Sequence, residues 1–481
     1  MRRERNLLSH FYYICISALF LCYSSFMEQG EKIKLTITDL NSKGEGVVRV
    51  GDKRFVLFVP NALPGEEVTC RVVRKKKNYA NANVIDRHNN SPNRIKPLCP
   101  SYGRCGGCQL QHVDYATQLE LKTKTVYDSI KRIAGVPDPY VKKCIPSPSQ
   151  WKYRNKASVP VQSNRYEEFL AGFYKQRSHD IVPFLECPVL LPRLEENLTL
   201  LISELKNSGF TGWNESKVNV MNFIRHLALR STKFTDQSLC AIVAGRFPNK
   251  NESNKLKMIA TSLSDKIDGM IFNRNASKGN FIWGEEFSSL YGESVIQEVL
   301  GKYKFDFEIS SFFQINSEQA LNLYNYAATI ATDDKPGNIL ELYSGVGTLT
   351  AFLSEKSRHV TAVEEWEHAS KYLKINAELN GLNNITGLSG SAEDHSESLS
   401  NEKFDTVVLD PPRSGCDDRV IASILKISPQ SIVYVSCAPA TLARDIKSLI
   451  TDGYCVKSIQ PFDMFPQTGH VETVVLLQRE K

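Results

Sequence analysis

The sequence predicts a multidomain chain: a small OB-like β-barrel at the N-terminus, a central α+β domain, and a C-terminal Rossmann-like α/β domain. Three observations carry this. Short strand-like runs broken by turn residues fill residues 31–89. A glycine turn, Tyr343-Ser344-Gly345-Val346-Gly347, links a strand to a helix, and apolar runs alternate with helical stretches after it. A length of 481 residues exceeds what one ordinary core serves. The expected divisions are an extension over 1–30, the barrel over 31–89, the central domain over 90–304 and the α/β domain over 305–481.

The extension has the outline of a secretory signal: Arg2, Arg3 and Arg5 precede an apolar stretch from Phe11 to Cys22. No small-x-small cleavage site follows it. Met27 stands just before the first interpretable segment, and the preferred reading is that translation starts there, with a targeting extension or a secretion signal as alternatives. In the barrel, strands are expected over Lys34 to Leu40, Val47 to Val50, Arg54 to Val59 and Val68 to Val73, four of the five short strands such a barrel needs. Ser42 to Gly46, Gly51-Asp52-Lys53 and Pro64-Gly65-Glu66 supply the turns. Together these residues resemble a TRAM domain. Arg71, Arg74, Lys75, Lys76 and Lys77, followed by Tyr79, give one edge a basic run suited to an RNA backbone, although lysines also serve simply to protect an edge strand. The net charge of +6 suits an RNA partner without requiring one.

Twelve cysteines are distributed as a tight cluster, one before a proline, one in a C-terminal motif, and scattered others. That pattern favours metal or cluster ligation plus a reactive thiol in a reducing compartment over a disulfide framework. Cys99, Cys105 and Cys108 form the cluster, and Cys187, in Glu186-Cys187-Pro188, is the candidate fourth ligand. Ligand type alone permits zinc or an iron–sulfur centre. Cys15, Cys22, Cys70, Cys144 and Cys240 read as small buried hydrophobes, and His112 and His179 as structural. Tyr115 to Ile133 reads as one amphipathic helix. Trp151 to Lys156 is a basic-aromatic knot whose rings either stack on unpaired bases or fill the core. Arg225 to Arg230 reads as a strand.

The C-terminal part is the most explicit. A strand at Phe305 to Ile309 leads to Ser311-Phe312-Phe313-Gln314-Ile315-Asn316 and a helix. Asn338 begins a strand that ends in the glycine turn, and His359 to Glu364 is the next strand, with its carboxylate about 20 residues beyond the loop, where a ribose would be held. Two glycines followed by Thr348 fit S-adenosylmethionine better than a dinucleotide, whose loop has three. Strands over Phe404 to Asp410, Ser431 to Cys437 and Val471 to Leu477 complete the sheet, so that Glu364, Asp410 and Cys437 meet at one crevice. A cysteine there explains itself through uracil chemistry. Carbon 5 of uracil is a poor nucleophile until a thiolate adds at carbon 6, and a base must later remove the carbon-5 proton. Cys437 fits the nucleophile and Glu472 the base.

Three long motifs carry a family resemblance: Asp410-Pro-Pro-Arg-Ser-Gly415, Val435-Ser-Cys-Ala-Pro-Ala-Thr-Leu-Ala-Arg-Asp445, and Asp463-Met-Phe-Pro-Gln-Thr-Gly-His-Val-Glu472. From about Lys32 onward the chain resembles the RNA uracil-5-methyltransferases, in particular the TRAM-containing, iron–sulfur members acting on 23S ribosomal RNA. The resemblance implies S-adenosylmethionine contacts at Gln314, Tyr343, Glu364 and Asp410, and more weakly at Thr348 and Ser391. It implies a [4Fe-4S] cluster on Cys99, Cys105, Cys108 and Cys187. It also implies an RNA partner rather than DNA or a membrane, a monomer, and a cytoplasmic place of work. The family usually has Asn where Ala438 stands, and Phe-Cys where Tyr343-Ser344 stands. Arg413 and Arg444 are candidates for polarising the thiol or gripping phosphates. Competing readings are a transfer-RNA enzyme, an amino-group methyltransferase, which needs no thiol and wants an aromatic residue in place of Arg413, and a non-catalytic RNA-binding iron–sulfur protein.

Overall fold

The structure, a computed structural model, describes residues 28–50, 55–163, 168–213, 223–277, 279, 281–332 and 337–480. The Met27 start, Cys15, Cys22 and the Gly51-Asp52-Lys53 turn lie outside the described residues. The chain forms two compact units. The described residues of the first fall within Met1–Leu98, Cys108–Leu121 and Gln467–Gly469, and the second comprises the rest.

In the first unit six strands, not five, form one sheet in the order Lys32–Thr36, Glu67–Lys75, Tyr79–Arg87, Phe55–Pro60, Glu45–Val50, Asp39–Leu40. The expected Lys34 to Leu40 strand breaks at Ile37 because its backbone turns to bond the Pro-Gly-Glu turn: Gly65 N–H donates to Ile37 O, and Ile37 N–H donates to Glu66 O (both 2.9 Å). Alternation buries Phe55, Leu57 and Val59 against Val68, Cys70 and Val72. The same alternation turns Arg71, Arg74, Lys75 and then Lys76, Lys77 and Tyr79 to solvent. Glu66 is the hub of the turn. Burial would raise its pKa, but Arg94 and the Leu63 and Ser91 N–H groups pull it down to about 2. Gln467 O accepts from Gln109 N–H (3.1 Å) and Leu110 N–H (2.9 Å). A Cβ on Gly469 would lie 1.5 Å from Ser42 O, so only glycine fits there.

The second unit holds two seven-stranded sheets. The central one runs Glu286–Gly292, Gly269–Arg274, Ser238–Ala244, Ile224–Ser231, Lys156–Ser163, Phe169–Tyr174, Ile181–Pro183. Helices Pro192–Asn207 and Lys250–Ser262 join its apolar side chains in one core. The knot's aromatic question resolves for Tyr153: it is 2% exposed and its hydroxyl donates to Pro466 O (2.9 Å). Cys144 and Cys240 are buried, as expected of inert thiols. The expected helix from Tyr115 stays α-helical to Ser129 and ends in a π-helical turn, Ile130–Ala134. Val295–Leu300 and Tyr303–Glu308 pair as a hairpin whose Ile296, Leu300, Phe305 and Phe307 join one core with Ala228, Leu239 and Ala241 of the central sheet and with residues of the C-terminal sheet, and the expected division at 304/305 falls inside its second strand.

The C-terminal sheet runs Ile385–Ser389, His359–Glu364, Asn338–Leu342, Thr406–Leu409, Ser431–Ser436, Glu472–Arg479, Tyr454–Phe462. The first five strands are parallel, and Glu472–Arg479 runs antiparallel to both its neighbours. Every residue of Thr406–Leu409 and Ser431–Ser436 is buried, as central parallel strands covered on both faces require. The edge strand Tyr454–Phe462 carries too many polar residues on one side to stand out as a strand in sequence. Among the described residues no helix is long and apolar enough to cross a membrane.

Candidate active site

Register alone assembles the crevice. Leu342 pairs with Val363 on one side and Leu409 on the other, so the next residues, Tyr343, Glu364 and Asp410, leave three adjacent strands at one level. Ser436 pairs with Thr473 in the antiparallel ladder. One step further brings Cys437 opposite Glu472, at the same edge of the sheet. The reversed direction of the last strand is what allows the start of one strand to face the end of another.

The cofactor side is built on strained backbone. Tyr343, Gly345 and Gly347 have φ of 68°, 59° and 86°. The turn then caps helix Thr348–Lys356. Glu364 is fixed by two backbone donors, Gly345 N–H to Oε2 (2.8 Å) and Trp366 N–H to Oε1 (2.9 Å), which leaves further lone pairs for sugar hydroxyls. A cavity of about 380 Å³ opens here, lined by Tyr343, Glu364, Glu393 and the Pro412 to Asp417 loop among others. These residues fit a nucleoside. Gln314 and Asp410 do not line it. Gln314 is 5% exposed in a segment tied on both sides: Asn155 Nδ2 donates to Gln314 O (2.9 Å), and Asn316 Nδ2 donates to Met464 O (3.2 Å). Thr348 Oγ1 donates to the Tyr324 hydroxyl (3.1 Å). Ser391 caps helix Ala392–Ser398 by accepting from Asp394 N–H.

On the catalytic side the charges are crowded. Burial, then Glu472, push the Cys437 thiol up to about 11, while Arg413 opposes them through its charge and a hydrogen bond. Burial and Asp410 raise Glu472 to about 8, and burial raises Asp410 to about 7. Burial lowers His470 to about 4, helped by Arg413, Lys122 and Arg154. That imidazole is neutral at pH 7, and it packs edge-on against Phe465 at 6.0 Å. Arg444 does not reach the thiol. It pairs with Asp445 (2.7 Å) and donates to Ser414 O and Cys416 O, stapling the loop that carries Arg413. Three contributors escaped the sequence reading. Glu341, raised to about 8 by burial, lies beneath the crevice. Lys122 forms a buried ion pair with Asp463, the first residue of the last motif. Asp445 accepts from Cys416 N–H (2.9 Å) and the Tyr434 hydroxyl (2.6 Å). The Asp of Ala-Arg-Asp was a visible signal, whereas Lys122 had none.

The four expected cluster thiols fall in differing surroundings. Cys99 and Cys105 are electrostatic neighbours, and burial raises both thiols. Glu195 acts on Cys99 and accepts from Cys187 N–H (2.6 Å). Cys108 belongs to the first unit. Among the described residues no three His, Cys, Asp or Glu side chains converge to hold a metal ion.

The family model described as tRNA (uracil-5-)-methyltransferase matches residues 291–480, and the TRAM domain model matches 27–85. An uncharacterized RNA methyltransferase of Bacillus cereus is 37% identical over 459 residues, covering 94% of this chain and 98% of its own. One from Gloeobacter violaceus is 36% identical over 454 residues, covering 94% and 97%. Among solved structures, the Pyrococcus abyssi tRNA (uracil-54, C5)-methyltransferase in complex with S-adenosyl-L-homocysteine is 30% identical, with a TM-score of 0.72, covering 92% of this chain and 100% of that one. With a thiol and a carboxylate at one edge of the C-terminal sheet, and relatives along nearly its whole length, the chain belongs to the RNA (uracil-5-)-methyltransferase family: it is a TRAM-containing, S-adenosylmethionine-dependent RNA methyltransferase.

Proposed function

We propose that this enzyme methylates carbon 5 of a uridine in 23S ribosomal RNA through a covalent adduct on Cys437. The observation that carries the reading is the ladder register that sets Cys437 opposite Glu472 with Asp410 at the same edge. S-adenosylmethionine supplies an electrophilic methyl group. Arg413 favours loss of the Cys437 proton to solvent, and the thiolate bonds to carbon 6, moving the ring's electron pair onto carbon 5. Carbon 5 takes the methyl group as its bond to the sulfonium breaks, and S-adenosylhomocysteine leaves. Glu472, once deprotonated, removes the carbon-5 proton, the ring double bond re-forms and the carbon–sulfur bond breaks. Glu364 and Tyr343 bind the nucleoside end of the cofactor, Gln314 reaches the cofactor from outside that cavity, and Asp410 stands between cofactor and base. The exposed Arg71, Arg74 and Lys75–Lys77 supply phosphate contacts.

The likeness to the Pyrococcus transfer-RNA enzyme favours a second substrate, transfer RNA. Transcripts of both RNAs containing 5-fluorouridine decide the matter. A Cys437-dependent adduct on the 23S transcript is expected, whereas an adduct on transfer RNA alone selects the second reading and no adduct on either refutes the mechanism. The cysteine set remains a separate proposal, a [4Fe-4S] cluster on Cys99, Cys105, Cys108 and Cys187. It is supported by the Cys99–Cys105 proximity and by Gly106, where a Cβ would press on Tyr174 O at 3.1 Å. Anaerobically purified protein should contain iron and acid-labile sulfide that Cys105→Ser loses; stoichiometric zinc without sulfide refutes it. No step of methyl transfer passes through this centre.

A further inference from the structure

The basic-aromatic knot leaves its cations unexplained. Tyr153 is core, but Arg154 and Lys156 are half-buried and Arg230 is 1% exposed. Lys156 and Arg230 are register partners in the central sheet. Arg154 Nε donates to Lys156 O (2.9 Å), and both arginines act electrostatically on Lys156, whose pKa burial lowers first. Among the described residues none of the three forms an ion pair. Arg230 Nη2 donates to Ser311 O (3.0 Å) and its guanidinium lies 5.0 Å from the centre of the Phe307 ring, while its buried Nε and Nη1 have no hydrogen-bond partner. Glu298 is the carboxylate that acts on Arg230. Its oxygens are committed to Lys233 N–H (2.8 Å), Phe234 N–H (3.0 Å) and the Ser317 hydroxyl (2.8 Å).

Three adjacent cations without a dedicated counter-charge are costly to keep out of water. An anionic ligand removes that cost. The strand that carries them leads to the active site: Arg154 bridges to Asn316, Asn155 N–H donates to Ile315 O (2.9 Å), and Arg154 acts on His470, two residues before Glu472. We propose that Arg154 and Lys156, with Arg230 behind them, form a subsite for the backbone phosphate of the nucleotide whose uracil is attacked. The inference rests on the proposed function. A uracil extruded from its stack brings its own phosphate with it, and a fixed cationic seat for that phosphate sets how far the ring enters toward Cys437. Arg154 and Lys156 touch the phosphate, and Arg230 acts through space.

The probe is a synthetic stem-loop containing the uridine that the wild-type protein methylates in 23S or transfer-RNA transcripts, made with either a normal phosphate or a neutral methylphosphonate at that nucleotide. For wild type, the methylphosphonate is expected to weaken binding on the order of tenfold, the loss of one charge-assisted hydrogen-bonded contact. Arg154→Gln and Lys156→Gln should each do the same to the normal RNA and lower the salt slope of log K by about 1. On the methylphosphonate RNA the variants should lose little more, because the partner is already gone. S-adenosylmethionine affinity should stay at the wild-type value, and the melting temperature of the RNA-free protein should hold or rise as an uncompensated charge is removed, whereas a merely structural role would lower it. Wild-type binding blind to the methylphosphonate, or losses that multiply in combination, overturns the subsite. A wild-type protein that methylates neither transcript fails the proposed function first, and the subsite falls with it.

Discussion

Replacing Glu472 by glutamine tests two consequences of one buried carboxyl. Its pKa stands at about 8 against an ordinary 4.5, through burial and the neighbouring Asp410, with Arg413 in partial opposition. A folded-state pKa above the unfolded value means that the native state holds a proton the unfolded chain releases. The stability contribution is therefore complete below pH 4.5 and is lost as pH rises through about 8. The rise corresponds to a ceiling of ~5 kcal/mol, reduced because Asp410 titrates in the same crevice. The amide has nothing to ionise. The melting temperature of Glu472→Gln should thus match wild type near pH 4.5, exceed it progressively toward pH 8 and run parallel beyond. The catalytic consequence follows from the same atom. Thiolate attack and methyl transfer do not need this carboxylate, but removal of the carbon-5 proton does, so ordinary unfluorinated RNA should remain attached to Cys437 and migrate as a slow band on denaturing gels. Identical pH–melting profiles would refute the buried-proton assignment. Full turnover without an adduct would refute the base assignment and move it to His470.

Cys437→Ala should abolish methyl transfer and leave S-adenosylmethionine binding intact by calorimetry, because the cavity is lined from the Tyr343, Glu364 and Pro412 to Asp417 side; measurable multiple turnover removes the cysteine from the nucleophile role. Arg413→Gln should shift the pH dependence of Cys437 alkylation by iodoacetamide upward, since Arg413 is the group that lowers this thiol's pKa; an unmoved profile refutes that role. Ala438 occupies the N-cap of helix Pro439–Thr451 with extended backbone and no side-chain cap. Ala438→Asn should therefore stabilise the protein by about 1 kcal/mol in denaturant unfolding, and a neutral or negative change would show that an amide at this position does not serve the helix as a cap.

What could be read from the sequence divides along a physical line. Strand-end positions were legible because a central parallel strand is a mostly apolar run, and the residues that close it stand at the crevice: Glu364 and Asp410 are the first polar residues after Val363 and Leu409, and Cys437 follows Ser436 at the end of Ser431–Ser436. Glu472 was legible only through its motif, since it begins a strand rather than ends one, and nothing local gives the direction of that strand. Pairings between distant residues were not legible. Lys122 lies in a helix with an ordinary amphipathic pattern, yet it is wholly buried on Asp463, and only the fold brings the two together. The same limit explains Tyr153, whose composition suited stacking equally well until Pro466 O claimed its hydroxyl. Charge was the least legible property. Arg413 and Arg444 read alike as basic residues of the C-terminal motifs, but Asp445 holds one in the scaffold and leaves the other facing the thiol. A guanidinium's function is thus decided by which carboxylate reaches it first, and that is a property of the packed chain.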